Sequence, residues 1–117
     1  MAKIYHLTTC STCQKIIKQA EAAGITFEKQ DIKTQPITAE QIDEMKRLAG
    51  SYEELFSRRS QKFRPMGLHE RSLTEKDYRD LILTEYTFLK RPVVVAGNKI
   101  FVGNNPRVVE EMISELK

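Results

Sequence analysis

The chain has 117 residues, 40% of them hydrophobic and 30% charged, with a formal net charge of +3. That length suits a single domain, 1–117, with a core large enough to fold without disulfide staples. No apolar run approaches the length of a membrane span, Met1-Ala2-Lys3 lacks the apolar region of a signal peptide, and the basic residues are too scattered to argue for direct nucleic-acid binding. A cytoplasmic setting is the expectation, and a reducing compartment leaves the two cysteines free to cycle.

Those cysteines lie in His6-Leu7-Thr8-Thr9-Cys10-Ser11-Thr12-Cys13. Ahead of them Ile4-Tyr5 reads as the end of a short strand, and behind them Cys13, Ile16, Ile17, Ala20 and Ala23 recur at helical spacing. At such a strand-to-helix junction, unpaired backbone N–H groups and the helix dipole favour a thiolate, which is the nucleophilic form. Two intervening residues put Cys13 about one helical turn beyond Cys10. Cys10 is therefore assigned as nucleophile and Cys13 as resolving thiol. His6 can add positive charge or a hydrogen bond to the thiolate, or be merely a strand-end side chain. Two blander readings compete: small apolar core residues, or a zinc site. The second is poorly supplied with ligands, since only His6 and His69 are on hand and no paired-histidine spacing exists, so no metal is expected.

Gly24 is placed to stop the first helix. Ile25 and Phe27 alternate with Thr26 and Glu28, predicting a half-buried strand to about Asp31, parallel to the first through a right-handed crossover. From Ile32 to about Lys90 no strand pattern is seen, and a helical insertion over about 33–90 is predicted. Within it Thr38 and Gln41 form a capping box, Ile37 and Ile42 a hydrophobic staple, and Ile42, Met45 and Ala49 a buried face that ends at Gly50. A short helix is expected over Tyr52 to Ser57. Another begins near Thr74, with Asp77 in its first turn and Leu73 paired with Tyr78, and it buries Tyr78, Leu81 and Ile82. Between them Arg58 to Arg71 reads as an irregular loop. Its cluster Arg58, Arg59, Lys62 and Arg64 suits a small oxyanion, because guanidinium forks match such groups, or is simply a solvated basic turn.

The last third returns to strands: Val93 to Ala96, a Gly97-Asn98 turn, and Lys99 to Val102. Asn105 caps a final helix with Pro106 at its first position, and Val109, Met112, Ile113 and Leu116 form its apolar stripe. The order β-α-β, helical insertion, β-β-α describes an α/β chain with a central mixed sheet and matches a thioredoxin-like fold. Pro92 is tolerated at a strand start because no ladder donor is lost there. In thioredoxin-like folds a proline at that place is typically cis and faces the C-x-x-C, which by analogy presents Arg91 to Cys10.

Several landmarks agree in order: Tyr5-His6 followed by Cys10, Leu55-Phe56-Ser57-Arg58-Arg59 leading to Phe63-Arg64, Arg91-Pro92-Val93-Val94-Val95, and Ile100-Phe101-Val102-Gly103. With these the chain resembles the arsenate reductase (ArsC) and Spx family, in its glutaredoxin-linked branch, over essentially its whole length. The resemblance implies a thiol-disulfide oxidoreductase in which Cys10 attacks a small oxyanion or a disulfide and Cys13 resolves the intermediate. Arg59 and Arg91, the latter beside Pro92, would hold the anion and the charge that develops on it, with His6 supporting the thiolate. No bound cofactor is implied, and the reductant would be glutathione with glutaredoxin, or thioredoxin. Two departures stand out. Where the family's arsenate reductases follow the cysteine with serine and arginine this chain has Cys13 and Gln14, and where they carry a third arginine it has Gly103, with Arg107 only at the start of the last helix. The alternative implied is a Spx-like redox-sensing regulator, whose Cys10–Cys13 disulfide changes affinity for the C-terminal domain of the RNA polymerase α subunit. The C-x-x-C, Gly50 and Gly103 are shared with that branch.

Overall fold

In the computed structural model, which describes residues 2–117, the strand before the cysteines is β1, Ala2–His6. It is followed by helix α1, Ser11–Ala22, and strand β2, Phe27–Asp31. Strands β1 and β2 are parallel, with Ala2 opposite Phe27 and His6 opposite Asp31. This is the crossover unit the sequence predicts. The strands β3, Val93–Ala96, and β4, Lys99–Val102, form the predicted hairpin. β3 runs antiparallel to β1 with Val93 opposite Tyr5, so the mixed sheet has the order β2-β1-β3-β4. Helix α4, Pro106–Leu116, closes this part of the chain, with the Asn105 side chain accepting from the Arg107 N–H at 2.9 Å.

The chain divides into two compact units, the first running to Gln35 and resuming over Arg91–Lys117, the second comprising Pro36–Lys90. In the first, Ile4, Val94 and Phe101 lie opposite one another across β1, β3 and β4. Ile16, Ile17 and Ala20 of α1 and Val109 and Met112 of α4 join them in one buried cluster. Each large aliphatic side chain so buried contributes about 1.5–3 kcal/mol. The predicted alternation holds at its start, with Ile25 and Phe27 buried and Thr26 and Glu28 exposed, and strand β2 leaves it only at Lys29 and Gln30. It begins at Phe27 rather than Ile25, and Phe27 and Gln30 are buried while Glu28 and Lys29 face solvent. β2 is an edge strand, and the charged pair blunts its open side. The buried Gln30 amide is satisfied by the Gln35 carbonyl at 3.0 Å.

In the second unit helix α2, Ala39–Ala49, carries the predicted Thr38–Gln41 capping box and ends at Gly50, whose φ of 101° is left-handed. Helix α3, Glu75–Thr84, carries the second box, Thr74 with Asp77. The helix expected over Tyr52 to Ser57 is only one 3-10 turn, Glu53–Leu55. The reason lies in its partners. The Glu75 carboxylate caps its start, accepting the N–H groups of Tyr52 at 2.8 Å and Glu53 at 3.1 Å, and the Ser57 N–H ends it by turning away to the Phe88 carbonyl at 2.7 Å. Arg79 grips Asp43 through Nε at 2.8 Å and Nη2 at 3.2 Å, and the Tyr52 hydroxyl donates to the same carboxylate at 2.6 Å. These bonds, Arg79 foremost, hold the Asp43 carboxyl at about 2. Among the described residues no helix is long and apolar enough to cross a membrane.

Candidate active site

Strand β1 ends at His6, and Leu7, Thr8 and Thr9 carry the chain to Cys10, the N-cap of α1. The Cys10 N–H is tied back to the Leu7 carbonyl at 3.1 Å, and the Cys10 carbonyl starts the helix by accepting from Gln14 N–H at 3.1 Å. A helix start leaves its first N–H groups without intrahelical partners, and here the Cys13 N–H donates to Cys10 Sγ at 3.4 Å. The two sulfur-bearing residues are thus one turn apart with the first sulfur capping the second residue's amide. Both cysteines are free thiols, Cys10 partly exposed and Cys13 fully buried.

Burial pushes the Cys13 thiol up to about 12, and the sulfur of Cys10 adds to this through a hydrogen bond and through its charge; the Leu7 backbone and the Arg91 guanidinium pull the other way. The consequence is a division of labour. A proton that stays on Cys13 leaves Cys10 as the thiol open to solvent. Once Cys10 is bonded to another atom its sulfur carries no charge, and that part of the upward push on Cys13 is removed.

Arg91 and Pro92 join at a cis peptide bond, as the resemblance implies. The Pro92 carbonyl accepts from Gly103 N–H at 2.8 Å, and Val93 lies opposite Tyr5, so Arg91, Pro92 and Gly103 stand at the end of the sheet from which the cysteine loop emerges. His6 is buried, 7% exposed. Its carbonyl accepts from Ile32 N–H at 3.0 Å, and its Nδ1 finds no hydrogen-bond partner among the described residues. Arg107 is exposed at the start of α4.

Arg59 belongs to the second unit. The basic cluster read from the sequence is not uniform there. Arg58 commits its guanidinium to the Tyr78 hydroxyl at 2.7 Å and to Glu53 at 3.0 Å, and Lys62 reaches Glu85 at 3.9 Å. Arg59 is exposed, with its amide on Ser57 Oγ at 3.3 Å. Among the described residues its guanidinium has no partner, and neither does that of Arg64.

Three residues of the site were not singled out from sequence. The Asp31 carboxylate accepts from the N–H and hydroxyl of Thr8 and from the N–H groups of Lys33 and Thr34, and these bonds, the Thr8 hydroxyl first, hold it at about 2. The Gln14 amide donates to the Leu7 and Thr8 carbonyls, both at 3.3 Å. An aspartate closing a strand ahead of a turn is a recognisable capping signal, but its partner across 23 positions is not. Among the described residues no group of His, Cys, Asp or Glu is arranged to hold a metal ion. An open cleft of about 450 Å³ lies at the other end of the sheet, lined by Ala2, Gly24, Ile25, Thr26, Ala96, Gly97 and Leu116. It offers no nucleophile or charge.

The family model that describes ArsC matches residues 5–112. Among curated relatives, the global transcriptional regulator Spx 1 of Bacillus cereus is 28% identical over 106 residues, covering 90% of this chain and 81% of its own. Among solved structures, an ArsC family related protein from Bacteroides fragilis has a TM-score of 0.84 at 25% identity, covering 99% of this chain and 97% of that one. An arsenate reductase (ArsC) related protein from Brucella melitensis has a TM-score of 0.75 at 29% identity, with 94% and 92% covered. The α/β architecture with its four-stranded mixed sheet is the thioredoxin-like fold of these neighbours, and the chain belongs to the ArsC family.

Proposed function

We propose that this ArsC-family chain is a thiol-disulfide oxidoreductase of the arsenate reductase type, with Cys10 as nucleophile and Cys13 as resolving thiol. The observation that carries the reading is the pairing of a partly exposed Cys10 with a buried Cys13 whose N–H lies 3.4 Å from Cys10 Sγ. With arsenate, Cys10 sulfur bonds to arsenic and one arsenic oxygen leaves as water. A second thiol then attacks Cys10 Sγ, the sulfur–arsenic bond breaks with its electron pair passing to arsenic, and arsenite departs. Two thiols become one disulfide as arsenic(V) becomes arsenic(III). With a disulfide substrate, Cys10 displaces one thiolate, and Cys13 displaces the other while closing the Cys10–Cys13 bond.

Arg91 stabilises the anionic sulfur and the incoming anion, Pro92 fixes the approach of Arg91, and His6 supports Cys10. Glutathione with glutaredoxin, or thioredoxin, returns the dithiol by giving up two electrons. The test is NADPH consumption with arsenate, run separately in the two reductant systems. Turnover that depends on arsenate and vanishes in Cys10→Ser is the expected outcome, and undiminished turnover in that variant contradicts the mechanism.

A second reading is favoured by one observation: the curated relative from Bacillus cereus named above is a transcriptional regulator aligned over 90% of this chain. Under it the same thiol pair acts as a sensor, and its oxidation changes binding to the C-terminal domain of the RNA polymerase α subunit. Capture of that domain by the protein, altered on oxidation, supports the sensor; no capture in either redox state excludes it.

A further inference from the structure

The loop between β1 and Cys10 is held by hydrogen bonds from two sides, through Leu7 and Thr8. His6 and Asp31 are the last residues of their strands and lie opposite each other, so the turns that follow them leave the sheet together. The Ile32 N–H crosses to the His6 carbonyl at 3.0 Å. From the β2 side, one Asp31 oxygen takes the Thr8 N–H at 3.0 Å and the Thr8 hydroxyl, and the other takes the Lys33 N–H at 2.9 Å and the Thr34 N–H at 3.4 Å. From the α1 side, Gln14 holds the carbonyls of Leu7 and Thr8, each at 3.3 Å. A carboxylate that accepts from several N–H groups stays ionised, and charge-assisted bonds of this kind are stronger than neutral ones.

We infer that Asp31 is a positioning residue for the thiol pair: through Thr8, opposed by Gln14, it fixes the Leu7 amide against Cys13 and so sets how readily the buried thiol attacks Cys10 Sγ. The inference rests on the reading of Cys10 and Cys13 as nucleophile and resolver. Its physical content is that Leu7 is shared. Its carbonyl holds Cys10 and Gln14, and its backbone acts on the Cys13 thiol against the effect of burial. Releasing Thr8 frees Leu7 to turn, and what is lost is help to the Cys13 thiolate. Cys10 keeps its place at the helix start, because its carbonyl accepts from the Gln14 N–H and its sulfur from the Cys13 N–H, both within the first turn of α1. Asp31 touches neither substrate nor sulfur and acts only through the loop.

The experiment separates the two thiol steps with dithionitrobenzoate. Cys10 attacks the reagent's disulfide, releasing one thionitrobenzoate and leaving a mixed disulfide. Cys13 then attacks Cys10 Sγ, releasing the second thionitrobenzoate and forming the Cys10–Cys13 bond, so two thiols are oxidised as the reagent is reduced. Asp31→Ala should slow the second release by about threefold at neutral pH, since one unit in the attacking thiol removes about tenfold of its thiolate and returns about threefold in nucleophilicity, while the first release changes less than about 1.5-fold. Asp31→Asn, which keeps an acceptor for part of the set, should restore part of the second rate. Thr8→Val should reproduce the slowing from the other partner without removing any charge. A pH profile of the second release shifted upward in Asp31→Ala identifies an effect on Cys13 rather than a general loosening. Equal slowing of both releases, or an unshifted profile, overturns the inference. If the wild-type protein never makes the second release, the thiol-pair reading itself fails, independently of Asp31.

Discussion

The segments Leu7–Gln14 and Arg58–Arg71 both carry residues assigned to chemistry, and they are held by different forces. Around Cys10 the chain is fixed by hydrogen bonds: Leu7, Thr8 and Cys10 place their backbone groups on Asp31, Gln14 and one another. Around Arg59 the hold is mainly aromatic. Phe56, fully buried, stacks on Phe88 with ring centroids 5.1 Å apart and lies 4.9 Å from Tyr78 and 6.1 Å from Phe63. The charged side chains sit outside this ring cluster. Hydrogen bonds set direction while rings supply buried area, so deletions in the first segment should act on rates and deletions in the second on stability.

Cys10→Ser gives the largest expected effect on the first side. Thiol exchange should fall by at least ~10³-fold, since no other exposed thiol exists to replace it, while the denaturant midpoint stays close to wild type. A comparable loss of stability would make Cys10 a structural residue of the helix start. On the second side Phe56→Ala should remove about 3–5 kcal/mol, the range for a buried aromatic ring, read from the urea unfolding midpoint.

The pH dependence sharpens the first side further. Cys13 is pushed up to about 12 by burial from an ordinary 9.0, so the unfolded chain ionises this thiol at a lower pH than the folded one. Its contribution to stability is therefore complete below the ordinary value and lost as pH rises from there towards about 12. Cys13→Ala should flatten that alkaline loss. Asp31 and Asp43 act in the opposite direction. Both are held at about 2 against an ordinary 3.8, so what they contribute is present above the ordinary value and lost as pH falls towards 2.

Smaller effects follow from the basic cluster. Arg58→Ala loses bonds to Tyr78 and Glu53 from a side chain that is half exposed, and about 1 kcal/mol or less is expected in the unfolding midpoint. Arg59→Ala should change stability by less than about 0.5 kcal/mol, because its guanidinium has no partner among the described residues. A stability loss matching that of Arg58→Ala would make Arg59 a structural residue and nothing more.

Much of this was legible in the sequence because the signals are local. Thr38 with Gln41 and Thr74 with Asp77 announce their helices within four residues, Gly97-Asn98 announces the hairpin, and Cys10-x-x-Cys13 announces the reactive turn. What was not legible depends on distant partners. The turn at Glu53–Leu55 stays short because the Ser57 N–H leaves it for the Phe88 carbonyl, more than thirty positions on. Asp31 reads as a strand end until Thr8 is seen to donate to it. Arg58 and Arg59 are indistinguishable by type, and only the Tyr78 hydroxyl and the Glu53 carboxylate separate a structural guanidinium from a free one.

The most direct test of the thiol-pair account is equilibration of the wild-type protein in glutathione buffers of graded oxidising strength, with the thiol state of each cysteine read by mass spectrometry. The account predicts that the oxidised form is the intramolecular Cys10–Cys13 disulfide, and that Cys13→Ser accumulates glutathione on Cys10 instead. Wild-type protein that carries glutathione on Cys10 at equilibrium while Cys13 remains reduced would contradict it.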